Sequence, residues 1–314
     1  MVRKFLTACI LFGSCFVYGQ RFYFDQFSVS EGLAQSTVYH MIQDRNDFYW
    51  FGTRAGVARF DGTSFLNFSA SDGLSENGIR AICQDPAGRI WFGHTGGGIS
   101  LYDGKSFRRV QSPAAHNNAT ITSILMDKEN KLWFTTEGAG VMLLSNPDDA
   151  VEELQFIQFS GSELSDQVYG HHMDADGRIH FVTDLGVKYF NRDSSRFDHL
   201  VLNGVPEFYQ TTCMLVDTGG RTWIGKYHGG LYRYDPGTDS TVMYDLVKAG
   251  LKSNWVSTLM EDSLGNIWAG TFEGGVIRID SDNSLQIYND RNGLAGLKIW
   301  CMMQDHEGNI LFGT

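Results

Sequence analysis

The stretch QDRNDFYWFGT at residues 43–53 returns six times along the chain. It reappears as QDPAGRIWFGH (84–94), MDKENKLWFTT (126–136), MDADGRIHFVT (173–183), VDTGGRTWIGK (216–226), EDSLGNIWAGT (261–271) and QDHEGNILFGT (304–314). The anchoring aspartates are Asp44, Asp85, Asp127, Asp174, Asp217, Asp262 and Asp305, 41 to 47 residues apart. One module is copied along the whole chain, and such self-similarity governs the fold.

Each column of the module has a physical reading. Three residues past the aspartate stand Asp47, Gly88, Asn130, Gly177, Gly220, Gly265 and Gly308. Only residues that tolerate a left-handed backbone occur there, so the column is a tight hairpin turn. The aspartate hydrogen-bonds the turn amides, as Asx residues do. Six residues past it come Trp50, Trp91, Trp133, His180, Trp223, Trp268 and Leu311, packing residues between neighbouring sheets. Two further on, the column is mostly glycine (Gly52, Gly93, Gly225, Gly270, Gly313), where a second backbone is expected to come close.

Four strand-like runs fit one period, as in GIRAICQD (78–85), RIWFGH (89–94), ISLYD (99–103) and SFRRV (106–110). Short strands at even spacing read as all-β, and four per repeat read as a β-propeller blade. The expectation is a seven-bladed propeller over residues 20–314. Its last blade is cut short after two strands at Thr314 and closed by an outer strand from RFYFDQF (21–27). The missing strand suggests the front piece of a longer protein, against a genuine stop with an imperfect last blade. Residues 1–19 read as a signal peptide: Arg3 and Lys4, an apolar stretch from Phe5 to Val17, and a small residue at Gly19. Lipidation at Cys15 or an uncleaved anchor stand as alternatives.

Composition narrows the chemistry. The net charge of −11 opposes a phosphate backbone, so nucleic acid is a poor partner. Cys83, Cys213 and Cys301 remain after cleavage, an odd number without CxxC spacing, which reads as buried thiols and not a disulfide framework. His171 and His172 are adjacent, so they point to opposite faces of a strand and make no metal site. No G-x-S-x-G elbow occurs. Candidate glycosidase acids, Glu137, Asp184, Glu207 and Glu273, fall on different repeats. No catalytic residue, metal or cofactor is therefore assigned.

The phrase GLAQSTVYHMIQDRNDFYWFGTRAGVARFDG (32–62) resembles the two-component regulator propeller repeat, and the resemblance extends over residues 21–314. It is similar to the periplasmic sensor region of Bacteroidetes hybrid two-component systems. The fourth repeat departs most, at His180 and Val182. The resemblance implies a periplasmic, membrane-anchored sensor, further domains in the same polypeptide, a homodimer, and a histidine kinase or DNA-binding output outside this chain. It also implies a glycan-derived ligand.

In a propeller, the second-to-third and fourth-to-first strand connections share one face. The columns above build the frame, so recognition falls to what varies on that face. The candidates are Arg54, His94, Glu137, Lys226, Tyr227, His228, Trp255, Phe272, Glu273 and Trp300, with Gln35, Asn77, Asn254 and Lys298 nearby. Aromatics beside amides and charges suit an oligosaccharide, whose C–H face stacks on a ring. The reading is a non-catalytic, ligand-sensing propeller. A protein-binding scaffold and a secreted glycan-active enzyme are the rivals.

Overall fold

In the computed structural model, which describes residues 24–113, 118–161, 164–191, 194–207 and 210–314, the hairpin column has the expected backbone. Asp47 and Asn130 stand at φ 64° and 60°, and the glycines of the column at 79–92°. The aspartate does more than hold the turn. Asp44 Oδ1 accepts the amides of Asn46 and Phe48 at 2.8 and 3.1 Å, while Oδ2 accepts the indole N–H of Trp50 at 2.7 Å. The same bond joins Asp85 to Trp91, Asp127 to Trp133, Asp217 to Trp223 and Asp262 to Trp268, at 2.8–2.9 Å. A buried indole N–H needs an acceptor, and this requirement ties the two columns together. In the fourth repeat His180 Nε2 lies 3.1 Å from Asp174 Oδ2. In the seventh, Leu311 has nothing to donate, and Tyr49 of the first repeat donates its hydroxyl to Asp305 Oδ2 at 2.9 Å.

Among the described residues the strands form six four-stranded antiparallel meanders and one two-stranded sheet. Their first strands are Val38–Gln43, Ile79–Gln84, Thr120–Met126, Val168–Met173, Thr211–Val216, Val256–Glu261 and Cys301–Gln304. Each touches the next, and Cys301–Gln304 touches both Val256–Glu261 and Val38–Gln43. An apolar cluster fills each junction. Trp50, Ile79 and Phe92 pack between the first and second sheets, and Val38, Ala58 and Cys301 between the seventh and first. The architecture is thus an all-β propeller with four-stranded antiparallel blades and a partial seventh sheet.

The entry to a first strand is set by a Gly-Leu pair. A capped 3₁₀ turn, such as Val29–Glu31 or Ala70–Asp72, ends at Gly32 or Gly73 with φ near 110°. The leucine that follows, Leu33 or Leu74, drops into the junction between sheets and is buried.

Two expectations need correction. The residues that crowd the glycine column are mainly side chains and not backbone. A Cβ on Gly93 would lie 2.4 Å from Ile121 Cγ2, and one on Gly52 2.7 Å from Ile79 Cγ2, each at the start of the next sheet's first strand. Only at Gly313 does a backbone atom of another repeat intrude, the Val38 carbonyl oxygen, at 2.8 Å. Nor do residues 24–27 form a strand on the seventh sheet; residues 21–23 of the expected strand, like the signal peptide, lie outside the described residues. Phe24 is held there by ring contacts with Tyr288 and Phe312 (centroids 6.2 and 6.4 Å), and Phe27 by Phe60 and Phe65. Side-chain packing, not a ladder, fixes this segment.

A latch between neighbouring repeats joins the residue before one aspartate to the amide after the preceding one. Gln84 Oε1 accepts from Arg45 N, Glu261 from Thr218 N, Gln304 from Ser263 N, and Gln43 from His306 N, at 2.7–3.0 Å. The last of these joins the seventh sheet to the first. Where Pro86 offers no N–H, the facing residue is Met126, which needs none.

Candidate functional site

Every first strand but the seventh skips one residue in its pairing. The ladders jump from Val38 to His40, Ile79 to Ala81, Ile121 to Ser123, Val168 to Gly170, Thr211 to Cys213 and Val256 to Thr258. A β-bulge re-aims the skipped side chain. The skipped residues are Tyr39, Arg80, Thr122, Tyr169, Thr212 and Ser257, and Trp300 stands at the matching place just before Cys301. All seven lie five residues before a repeated aspartate, and all seven line one central cavity of about 520 Å³.

The seven divide by size. Thr122, Thr212 and Ser257 donate their hydroxyls to the carbonyls of Val168, Val256 and Ile299, on or just before the next first strand, at 2.7, 2.5 and 2.5 Å. They tie neighbouring repeats together and, being small, leave room above. Tyr39, Arg80, Tyr169 and Trp300 stand into the cavity wall.

One wall is a continuous aromatic arc. Tyr227 meets Trp255 at 4.5 Å, and Trp255 stacks on Phe272 at 3.9 Å with ring planes 26° apart. Phe272 meets Trp300 edge-on at 5.5 Å, and Trp300 meets Tyr39 at 5.1 Å. Two cations sit on this arc: Lys298 Nζ is 3.6 Å from the Phe272 centroid, and the Arg80 guanidinium 4.5 Å from that of Tyr39. Glu137, Tyr169 and Gln210 also line the cavity, with the Gln210 amide donating to the Tyr169 hydroxyl. Burial, then the charges of Asp184 and Glu137, hold Tyr169 above its ordinary pKa. His40, Thr258, Cys301 and Met302 complete the lining. Burial pushes His40 down to about 4 and the Cys301 thiol well up, so at neutral pH both are uncharged.

Of the sequence candidates, Glu137, Tyr227, Trp255, Phe272 and Trp300 are brought together in the lining. His228 lies beside Tyr227 at the rim, at 4.0 Å. Glu273 and Arg54 are exposed away from it. Gln35, Asn77 and Asn254 hold their own loops, accepting from the amides of Arg54, Ala70 and Val247. His94 and Lys226 are corrections: both are buried, at 0% and 4% exposure. They occupy a column that is threonine elsewhere. There Thr53, Thr136, Thr183 and Thr271 close the loop by donating to a carbonyl three or four residues on. His94 Nε2 instead meets Ser100 Oγ at 2.7 Å, and Lys226 Nζ donates to Thr211 Oγ1 at 2.9 Å. The cavity is reached one residue later, at Glu137, Tyr227 and Phe272. Tyr39, Arg80, Tyr169 and Gln210 escaped the sequence reading. For the first three the available signal was the variable column five before the aspartate, preceded by a mostly β-branched one.

Burial of His94 has a pH consequence. Its pKa falls to about 4, mainly through loss of solvent, against about 6.5 in the unfolded chain. The unfolded state therefore binds the extra proton first. Stability is full above about pH 6.5 and falls as pH drops toward 4, by on the order of 3 kcal/mol from this group. Urea unfolding at pH 7 and 4.5 should show the loss, and His94→Gln should reduce it by about 2 kcal/mol. An equal loss in the variant would refute the assignment.

His171 and His172 also face apart: Nδ1 of the first lies 2.5 Å from Ser123 Oγ, while Nε2 of the second accepts from Val216 N. Cys301 is buried, and Cys83 and Cys213 are half-buried, all three as free thiols. Among the described residues no helix is long and apolar enough to cross a membrane.

A family model described as Two component regulator propeller matches residues 32–55, 73–96, 116–138 and 250–273. No curated protein sequence matches the chain. Among solved structures, the extracellular domain of a B. thetaiotaomicron protein described as a hybrid two component system superposes with a TM-score of 0.75 at 22% identity. That match covers 92% of this chain and 40% of the other. A second B. thetaiotaomicron extracellular domain, described as a one component system, gives 0.71 at 22% identity over 89% and 37%. The chain thus spans about two fifths of the length of these two. A streptogramin B lyase gives 0.67 at 14% identity over 90% and 92%. At these identities the likeness is one of fold.

Proposed function

We propose, from a chain that carries repeats of the two component regulator propeller family, that this is the extracytoplasmic ligand-sensing part of a signalling protein and that it binds an oligosaccharide in the central cavity. One observation carries the reading. Seven repeats spend their bulged residue, or its equivalent Trp300, on one depression, and one stretch of its wall is an unbroken run of five rings. Concave sites that combine aromatic surface with a few converging polar groups bind small ligands. Sugar C–H faces would stack along Tyr227, Trp255 and Phe272, and sugar hydroxyls would bond Gln210, Tyr169 and Glu137.

Signalling follows as a population shift. The lining comes from all seven sheets, so a ligand that bridges the walls favours the arrangement in which they sit at its own width. Output through further domains, an outward-facing membrane anchor and dimerisation belong to the same proposal. The two B. thetaiotaomicron domains, described as extracellular parts of component systems, support the location.

Titration calorimetry against plant and host oligosaccharides tests it. Saturable micromolar binding is expected, and Trp255→Ala should weaken it at least tenfold, as loss of a central aromatic anchor does. Trp255 is half-buried, so its unfolding midpoint serves as the folding control. Wild-type affinity in the variant would remove the arc from the site. Release of reducing ends during incubation would favour an enzyme instead.

A further inference from the structure

Resting on that reading, we propose that the oligosaccharide is acidic, and that Arg80 and Lys298 grip its carboxylate or sulfate beside Trp300. Both cations lie near the same indole: the Arg80 guanidinium is 5.5 Å and Lys298 Nζ 4.5 Å from its centroid. They arrive independently, Arg80 from the bulge of the second sheet's first strand and Lys298 from the connection into the seventh sheet.

Their lack of an acid partner is the informative feature. The protein carries 36 acidic and 25 basic residues, so carboxylates are in surplus. Three arginines of the frame are ion-paired, Arg89 with Asp85, Arg221 with Asp217 and Arg278 with Asp280, at 2.6–2.7 Å, while Arg59 and Arg233 rest singly on the tryptophans of the frame; what sets Arg80 and Lys298 apart is that two cations meet one ring at the cavity. Arg80 and Lys298 form no ion pair with any described residue. They rest on ring faces, which attract a cation without discharging it. Two like charges near one ring repel each other, and an anion that reaches both offsets that repulsion. A guanidinium adds a planar fork that matches a carboxylate or sulfate edge.

Glu137 lines the cavity as well, and Asp184 lies close enough to act on Tyr169. A ligand with charge at one end and hydroxyls at the other would be oriented by this polarity. Its acid would go to Arg80 and Lys298, and its hydroxyls would donate to Glu137. Neutral sugars satisfy only half of the arrangement.

Calorimetry on the intact chain at low ionic strength decides the matter with paired probes. Trigalacturonic acid is compared with its methyl ester, and a κ-carrageenan tetrasaccharide with its desulfated form. One acidic probe is expected to bind at least tenfold more tightly than its neutral counterpart, and its identity names the anion. Added salt should erode that preference. Arg80→Met and Lys298→Met should each abolish it, while Arg80→Lys should keep most of it. Equal binding of acidic and neutral forms overturns the charge proposal and leaves the sugar site standing. Absence of binding by all four overturns both. Hexaglutamate binding as tightly as either acidic sugar overturns the carbohydrate assignment, with the cation pair then reading an acidic peptide.

Discussion

Trp50→Ala is expected to lower the unfolding free energy by about 4 kcal/mol or more. Trp50 is 1% exposed and lies among Phe68, Phe92 and Tyr102, with centroids 5.3–6.1 Å away. Deleting such a side chain costs about 3–5 kcal/mol in lost contacts and cavity. It also strips Asp44, 3% exposed, of the indole donor at 2.7 Å, and a buried acceptor left without its donor adds about 1–3 kcal/mol. Trp50→Phe separates the two effects, since it keeps most of the apolar volume and removes the N–H. The matching change Trp91→Phe should cost less, because Arg89 Nε still donates to Asp85 Oδ2 at 2.6 Å. Urea unfolding of the three variants checks this. Equal costs for the two phenylalanine variants would show that the indole bond adds little beyond packing.

A change of one methyl group should be felt almost as strongly. Gly93 has no positive φ, so alanine suits its backbone and would by itself stabilise by about 0.4–1 kcal/mol through the unfolded chain. Its Cβ, however, would lie 2.4 Å from Ile121 Cγ2 and 2.7 Å from Ile121 Cβ. Overpacking of this kind costs about 1–3 kcal/mol, and at these distances the upper end is expected. Ile121 is fully buried, so Ile121→Ala alone should cost about 2–5 kcal/mol. Together the two changes should cost at least about 1 kcal/mol less than their sum, because the closest contact, with Cγ2, is gone and the remaining approach to Cβ can relax into the space left by the isoleucine. Strict additivity would show that the second and third sheets do not press together at this point.

The frame was legible because its rules are local. Asp, Gly and Asn at fixed offsets announce a turn whatever surrounds it, and the Trp column announces a packed junction. What joins the columns was harder to see. That Trp50 donates to Asp44 follows from burial of the indole, which no composition shows. The latch from Gln43 to His306 spans the length of the chain and emerges only when the first and last copies meet. In the cavity, Tyr227, Trp255, Phe272 and Trp300 were found because rings in polar connections call for a reason. Tyr39, Arg80 and Tyr169 were hidden by the bulge: strict alternation assigns them to a ladder that they do not join. His94 and Lys226 were misplaced by one residue, and on a strand one residue is the difference between the two faces.

The skipped residue of each first strand has a consequence for how such a protein changes over time. Outside the ladder, large skipped residues such as Tyr39, Arg80 and Tyr169 carry little obligation to the scaffold, whereas Thr122, Thr212 and Ser257 also tie strand to strand. Duplication of the module therefore multiplies a stable support together with one nearly free letter per copy. Selection can respell the resulting short word position by position, and a new specificity need not wait for a new architecture.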